Sequence, residues 1–232
     1  MTYKSAAAQG LRIDLQRWDG SNWLMQAETT TAANGSYVFT GAPALAVGEI
    51  YAVRYLNDPA DPNPGPGYLW SWWGNRLAAY TPGTAAWGGD FDVADIPLVS
   101  PADGAAVTLP AQFCWTPRGL PGDTYRLALY NWLTDETAWT AYFGNVSCAN
   151  LTGIQIDWPS GETYAWWVEV GRGADPGANP YNLGSSQDSR PIIVNTAVES
   201  QMPLRPASEG RANDLRSPGS AQPWPDLRPL HR

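Results

Sequence analysis

The sequence is poor in the side chains that most often carry out chemistry. Its 232 residues include one His and one Lys, His231 and Lys4, and both lie near the ends of the chain. Proton transfer and metal ligation rely largely on His, Cys and Lys side chains of tuned pKa. The sequence also lacks a phosphate-binding loop, a Gly-x-Ser-x-Gly nucleophile motif and a zinc-binding His pair. We therefore predict a protein that is not an enzyme and uses no cofactor and no metal.

Charged residues and long apolar runs are scarce as well. Charged side chains make up 16% of the chain, and the net charge is −8. Residues 199–232 carry five Arg against four acidic residues, so that segment is +1 and the remainder is −9. A body of that sign repels phosphate, which excludes nucleic acid and anionic lipid as favourable partners. No run of 18 apolar residues occurs, so we predict no membrane insertion.

Aromatic residues, Gly and Pro are abundant instead. The chain has 13 Trp and 11 Tyr, together with 23 Gly and 21 Pro. Large aromatic side chains stabilise packed cores, and frequent Gly and Pro indicate short strands joined by turns. The length suits two domains of about 100 residues each. The predicted fold is all-β, with two tandem antiparallel β-sandwiches.

Residues 1–98 are predicted to form the first sandwich. Apolar and polar residues alternate at 11–15, Asp19-Gly20 provides a hairpin turn, and residues 22–28 return as a second strand. Asn34-Gly35 is a second turn signal. Further extended segments are predicted at 36–40, 51–55, 68–73 and 91–98.

The segments LRIDLQRWDGSNW, TTTAANGSYVFTG and GEIYAVRY together resemble a carboxypeptidase regulatory-like domain, a transthyretin-like sandwich related to collagen-adhesin B-type repeats. The resemblance implies a first strand of which only residues 1–4 are present, so that strand is either truncated or completed by another chain. Such domains sometimes carry an isopeptide bond, for which Lys4 with Asp92 or Asp95 would be the candidates. A solvated lysine is the alternative that we favour.

Residues 99–198 are predicted to form the second sandwich, closely coupled to the first because almost no linker separates them. A Trp on an early strand, then Tyr-x-Leu-x-Leu, then Tyr-x-Trp-x-Val resembles a fibronectin type III-like, immunoglobulin-like domain. The resemblance implies core positions at Trp115, Tyr125, Leu127, Tyr164, Trp166 and Val168. Residues 199–232 contain six Pro and no apolar period, so we predict a disordered tail.

Five aromatic residues are the candidates for contact with a ligand or partner. Tyr130 and Trp167 are predicted on the outer face of a sheet, as a flat platform for a sugar ring or a neighbouring domain. Trp70, Trp72 and Trp73 lie in a segment that is aromatic on both faces. That segment could contact a glycan, the second sandwich or another subunit. Packing within the protein is the competing interpretation for all five rings.

Two further sets of residues have open interpretations. Cys114 and Cys148 are a candidate disulfide, although Cys114 should point outward if its neighbours Phe113 and Trp115 point inward. The acidic sets Asp58, Asp61, Asn63 and Asp90, Asp92, Asp95 could offer oxygens to calcium, but neither has the spacing of a calcium loop, and turn or edge positions explain them.

The sequence as a whole predicts a non-catalytic structural or adhesive module of a bacterial cell-surface or secreted protein. A carbohydrate-binding module that contacts a cell-surface polysaccharide is the first alternative, and a self-assembling filament subunit completed by a donated strand is the second. Other protein modules are the remaining class of partner. Residues 1–10 lack the pattern of a signal peptide. Because both resemblances point to surface proteins, we nevertheless expect an extracellular location and a fragment of a longer protein.

Overall fold

The computed structural model describes residues 1–57, 65–152, 160–172 and 182–196. Within these ranges the chain is all-β and contains no helix, which confirms the predicted fold class. It follows that none of these residues belongs to a helix long and apolar enough to cross a membrane. The predicted disordered tail, residues 199–232, lies outside the described residues.

The first lobe, residues 1–98, is built on one four-stranded antiparallel sheet. A short hairpin, β1 (Thr2–Tyr3) and β2 (Ala6–Ala7), precedes it. The strands of the sheet are β3 (Arg12–Trp18), β4 (Trp23–Thr30), β5 (Ile50–Leu56) and β6 (Ser71–Leu77). Their spatial order is β6-β5-β3-β4.

Alternation along the strands selects the inner face of this sheet, as the sequence predicts. Ile13 and Leu15 of β3 and Val53 of β5 belong to the main hydrophobic core. Extended segments rather than a second regular sheet cover them. Residues 91–94 form one such segment, which is joined to the N-terminal hairpin by a bridge between Thr2 and Asp92 and to residue 68 by a bridge to Ala94.

Two of the predicted extended segments, residues 36–40 and residues 91–97 of the segment 91–98, are not regular strands. Residues 36–40 follow the expected turn at Asn34-Gly35 but form no strand. Tyr37 and Phe39 instead pack against the core as partly buried rings. Residues 91–96 likewise make isolated bridges rather than a ladder, although the buried side chain of Phe91 stacks on Trp72 with ring centroids 5.7 Å apart.

The second lobe, residues 99–196 with a first strand that begins at Leu98, is a two-layered sandwich. Its strands are β7 (Leu98–Ser100), β8 (Ala105–Leu109), β9 (Ala111–Trp115), β10 (Asp123–Asn131), β11 (Glu136–Trp139), β12 (Cys148–Leu151), β13 (Glu162–Arg172), β14 (Leu183–Ser185) and β15 (Arg190–Thr196). One layer has the order β12-β9-β7. The facing layer runs β11-β10-β13-β15-β8, in which the pairing of β15 with β8 is parallel.

The predicted core of this sandwich is confirmed. Phe113 of β9 meets Trp166 of β13 edge to face at 5.1 Å, and Trp115 meets Tyr125 of β10 at 5.8 Å. Aromatic pairs in such tilted or edge arrangements stabilise a core beyond their buried area. Leu127, Tyr164 and Val168 complete the list of predicted core positions, and all are fully buried.

The two lobes share one sheet. β14 pairs with β13 of its own lobe and, on its other edge, with β6 of the first lobe. Ten strands thereby form one continuous sheet through the molecule. Gly184 lies at the centre of the junction, where a Cβ atom would come within 2.5 Å of Cε3 of Trp72. The predicted close coupling is confirmed, and its physical form is a shared hydrogen-bonded sheet.

A buried arginine, ion-paired within the second lobe, also joins the lobes. The guanidinium of Arg118, in the β9–β10 loop, donates to both carboxylate oxygens of Asp123 at 2.9 Å, and both side chains are fully buried. The same group donates to the backbone carbonyl of Asp92 at 2.6 Å and lies 5.1 Å from the ring of Trp72. One side chain of the second lobe thus contacts two elements of the first.

Cys114 and Cys148 form a disulfide. They are directly opposite each other on the paired strands β9 and β12. Cys114 does point away from the core that holds Phe113 and Trp115, as predicted, but β12 lies beside β9 in the same sheet. The two thiols therefore meet across the strand pair, and no chain needs to pass over that face.

Candidate functional site

The structure places Tyr130 and Trp167 on the outer face of the sheet, as predicted, but buries both rings. Their exposed fractions are 7% and 2%. They pack into a small cluster with Ala128 and Ala165 of the same two strands. The prediction of an exposed platform at this position is therefore wrong, because alternation identifies the face on which a ring lies but not what covers that face.

Trp70, Trp72 and Trp73 are buried as well. Trp72 belongs to the core, and the backbone N–H of Trp70 donates to the carbonyl of Ser185 in the second lobe at 3.0 Å. Trp73 lies on the outer face, 5.1 Å from Trp23 and 5.6 Å below the guanidinium of Arg54. Of the three partners considered for this segment, the structure shows the second lobe.

The outer face beside Trp167 carries an ordered polar and aromatic cluster. Arg126 donates to the buried carboxylate of Glu169 at 2.6 Å, and the indole of Trp139 donates to the other oxygen at 3.2 Å. The Arg126 guanidinium also lies 4.9 Å from the ring of Tyr142. Arg126, Glu169 and Trp139 satisfy one another, whereas the buried hydroxyl of Tyr142 has no hydrogen-bond partner among the described residues. The cluster therefore has mainly the character of packing.

The first lobe contains a cleft with a volume of about 290 Å³. It lies between the inner face of β5 and β6 and the two segments that cross it, residues 36–42 and 84–90. Aromatic rings dominate its walls. The five rings are those of Tyr37, Phe39, Tyr51, Tyr80 and Trp87.

The segment that carries Trp87 is held tightly against the sheet. A Cβ atom on Gly88 would lie 2.7 Å from Cγ2 of Val53, so the backbone here rests directly on β5. The hydroxyl of Tyr37 donates to the carbonyl of Gly89 at 2.7 Å. Burial, reinforced by the nearby Asp90 carboxylate, raises the pKa of Tyr37 well above its usual value, so this donor stays protonated.

Trp87 differs from the rings that the sequence singled out. Its side chain is 67% exposed although its backbone is fixed at the cleft. The sequence analysis missed it because it lies in TAAWGGD, a segment with no strand periodicity. The available signal was the pair of glycines after the Trp, since Gly-Gly in a loop permits close backbone approach.

The rim of the cleft is polar and nearly uncharged. Ser36, Asn75, Thr84 and Asp90 line it, and Asp90 bears the only charged side chain among the described lining residues. The hydroxyls of Ser36 and Thr84 donate within the protein, and the amide oxygen of Asn75 accepts from Asn182, so the rim offers mainly acceptor oxygens to a ligand. A pocket with apolar walls and a few polar groups is the general form of small-molecule sites.

The residues considered for cross-linking and calcium have other roles. Lys4 is exposed in the turn between β1 and β2, with its ammonium 5.3 Å from the ring of Tyr3. Asp92 accepts from Thr2 and from the backbone of Ser5. No three potential metal ligands cluster within the described residues. Asp58, Asp61 and Asn63 lie outside the described residues.

Comparison with known proteins gives no family. No family model matches the chain, and no curated protein matches it. Any functional conclusion therefore rests on the residues and their geometry.

Proposed function

We propose that the chain is a non-catalytic structural or adhesive module of a bacterial cell-surface or secreted protein, and that it acts as a rigid spacer. The main observation that supports a rigid spacer is the sheet that continues from β6 through β14 into β13. Two domains on a linker reorient freely, whereas two lobes that share a ladder and a core keep a fixed relation. A rigid body suits a module that presents another domain at a set distance.

Three observations support the surface location and the absence of catalysis. The Cys114–Cys148 disulfide is typical of oxidising compartments outside the cytoplasm. The layering of the second lobe supports the proposed fibronectin type III-like relationship, because three strands face five around a Trp core. The single His of the chain is His231, which lies in the predicted disordered segment.

The carbohydrate-binding and filament alternatives have less support than the spacer proposal. Burial of Tyr130, Trp167 and the Trp70–Trp73 segment removes the exposed rings on which the carbohydrate-binding alternative was based. The filament alternative requires an unpaired N-terminal strand. Here β1 pairs with β2, and Thr2 bridges to Asp92, so no observation favours that alternative.

A distance measurement between the lobes tests the spacer proposal. Spin labels at Ser21→Cys and Thr134→Cys would report from two exposed turns, one in each lobe. We expect a narrow distance distribution that is unchanged by moderate salt. A broad or bimodal distribution would show that the lobes move independently, and the spacer role would fail.

A further inference from the structure

The cleft beside Trp87 has the properties of a ligand site that the spacer role does not require. We infer that it binds a single uncharged pyranose sugar unit, such as the terminal residue of a polysaccharide. This inference goes beyond the spacer proposal and does not depend on it. Failure of either one leaves the other standing.

The segment that carries Trp87 is preorganised. A Cβ atom on Gly74 would approach the carbonyl oxygen of Gly88 to 2.8 Å, so the Trp87 segment is seated directly on β6 as well as on β5. Gly89 has a φ of +104°, a conformation that glycine adopts without strain. Because the backbone that directly follows Trp87 is fixed by contacts within the protein, less entropy is lost when a ligand stacks on the indole.

Trp87 presents an exposed indole beside the cleft. Trp87 is mostly solvent-exposed, whereas Tyr51 is buried in the wall and meets Tyr80 edge to face at 5.9 Å. An exposed aromatic face at the mouth and aromatic walls behind it provide the flat apolar surfaces against which the C–H face of a sugar ring packs. An exposed ring in such a place is the informative exception among buried ones.

The side chains that line the cleft carry little charge. Asp90 is the only charged side chain among the described lining residues, and it is exposed. The Met1 ammonium also belongs to a lining residue, but it is buried and donates to the carbonyl of Gly35 at 2.7 Å, so an anionic ligand would meet chiefly the like charge of Asp90.

The hydroxyls of Ser36 and Thr84 donate their own protons within the protein, to Asn34 Oδ1 at 2.7 Å and to the carbonyl of Thr81 at 2.6 Å, so each keeps an oxygen that can accept. A quaternary organic cation would find the Asp90 carboxylate and the aromatic faces, but it has no proton to donate to these oxygens. A neutral polyol uses both the rings and the polar rim.

The volume of the cleft limits the size of the ligand. The cleft has a volume of about 290 Å³, which lies at the lower end of the range for ligand sites, about 300 to 1,000 Å³. That volume suits one sugar ring rather than a peptide or an extended chain. We therefore expect weak binding of a free monosaccharide, with a dissociation constant of about 1 mM.

Binding of methyl glycosides of glucose, galactose and N-acetylglucosamine to the intact chain tests the inference, with tryptophan fluorescence and saturation-transfer NMR as readouts. At least one should bind, and Trp87→Ala should weaken that binding by about tenfold, which corresponds to about 1.4 kcal/mol. Trp132→Ala is the matched control, because Trp132 is also an exposed Trp but lies in the second lobe. It should bind as the unmodified chain does.

A charge reversal separates binding at the cleft from a general effect on folding. Asp90→Lys should raise the affinity for glucuronic acid relative to glucose by several-fold, because it places a cation beside the ligand. Melting curves verify that each variant is folded. The inference is overturned if no uncharged sugar binds, if Trp87→Ala leaves sugar binding unchanged, or if choline binds in the cleft and the sugars do not.

Discussion

The two lobes reach a buried core in different ways. The second lobe encloses its core between two regular sheets and carries a disulfide on one of them. The first lobe has one regular sheet, and its core is closed by the N-terminal hairpin and by segments without strand ladders. The cleft beside Trp87 lies under these irregular segments. Regular pairing on both sides gives a closed core, whereas irregular cover leaves room for a ligand.

The comparison also suggests that stability is unequally distributed. Extended segments that cross a sheet make few ladder hydrogen bonds, so they depend on side-chain packing and on neighbouring elements. In the first lobe those neighbours include β14 and Arg118, both from the second lobe. We therefore expect the first lobe to depend on the second more than the second depends on the first.

Removal of the buried guanidinium at the junction should have the largest effect. Arg118→Met removes the bidentate partner of the buried Asp123 carboxylate, which keeps its contact with Nε of Arg172 at 3.2 Å. It also removes the contacts with the Asp92 carbonyl and the Trp72 ring. Breaking one side of a buried ion pair costs about 3 to 5 kcal/mol. Denaturant unfolding would give the loss, and hydrogen exchange of β3 and β10 would show which lobe opens.

A more exposed pair provides the control for this change. Arg17 pairs with Glu49 within the first lobe, and its side chain is partly exposed. Arg17→Met should cause a much smaller loss of stability. If Arg118→Met accelerated hydrogen exchange in β10 and left β3 protected, the proposed dependence of the first lobe on the second would be wrong.

Removal of the disulfide should have the next largest effect and tests the opposite direction. The bridge closes a sequence separation of 34 residues within the second lobe, for which the chain-entropy account gives roughly 3 to 4 kcal/mol. Cys114→Ala combined with Cys148→Ala should therefore lower the unfolding midpoint. If the lobes form one cooperative unit, fluorescence and hydrogen exchange will show both lobes unfolding at the same lowered midpoint. Separate transitions would show that the shared sheet does not couple them.

The sequence predicted the second lobe better than the first for a physical reason. In β10 and β13 the large residues of one face recur at every second position, so Tyr125 and Trp166 could be assigned inward, even though the other face is also largely buried. Residues 36–40 and 91–96 have a similar pattern, yet they cover a sheet without pairing into one. Sequence periodicity indicates which side of a segment is buried. It does not indicate whether the backbone of that segment pairs with another strand.

Sequence periodicity was also insufficient to predict the candidate site. Trp167 was assigned to the correct face, but its burial depends on neighbours that are distant in sequence. Trp87 was not selected, because its exposure follows from a loop conformation set by Gly88 and Val53. β14, which joins the lobes, has three residues and no apolar period, so its sequence did not predict a strand.

Crowding at the junction should have a smaller, more local effect. Gly184→Ala places a methyl group 2.5 Å from Trp72 and 2.7 Å from Cδ1 of Leu69, so those side chains must move. Overpacking of this kind costs about 1 to 3 kcal/mol. The matched control is Gly144→Ala, since nothing lies within 4 Å of a Cβ at Gly144. The spin-label distance distribution should broaden for Gly184→Ala and not for the control; equal distributions would place the coupling elsewhere.

Two aspartates at the base of the first lobe should have the smallest effects, with opposite signs. Burial raises the pKa of Asp95, although the backbone N–H of Gln187 donates to it at 2.7 Å. An acid whose pKa is raised on folding favours the folded state at low pH, and this contribution is lost as pH rises from the ordinary Asp value of about 3.9 through the folded value. Asp95→Asn should therefore become more stable relative to the unmodified chain as pH increases over that window.

Asp92 should behave in the reverse way. Burial opposes its ionisation, but donation from the backbone N–H groups of Ser5 and Ala94 and from the hydroxyl of Thr2 outweighs burial and lowers its pKa. Its contribution is present above the ordinary Asp value and is lost as pH falls through the folded one. Asp92→Asn should cost stability at neutral pH and little in acid, as measured by urea unfolding across pH. Because Asp92 anchors the N-terminal hairpin and Asp95 contacts the second lobe through Gln187, matching pH profiles for the two variants would contradict these separate roles.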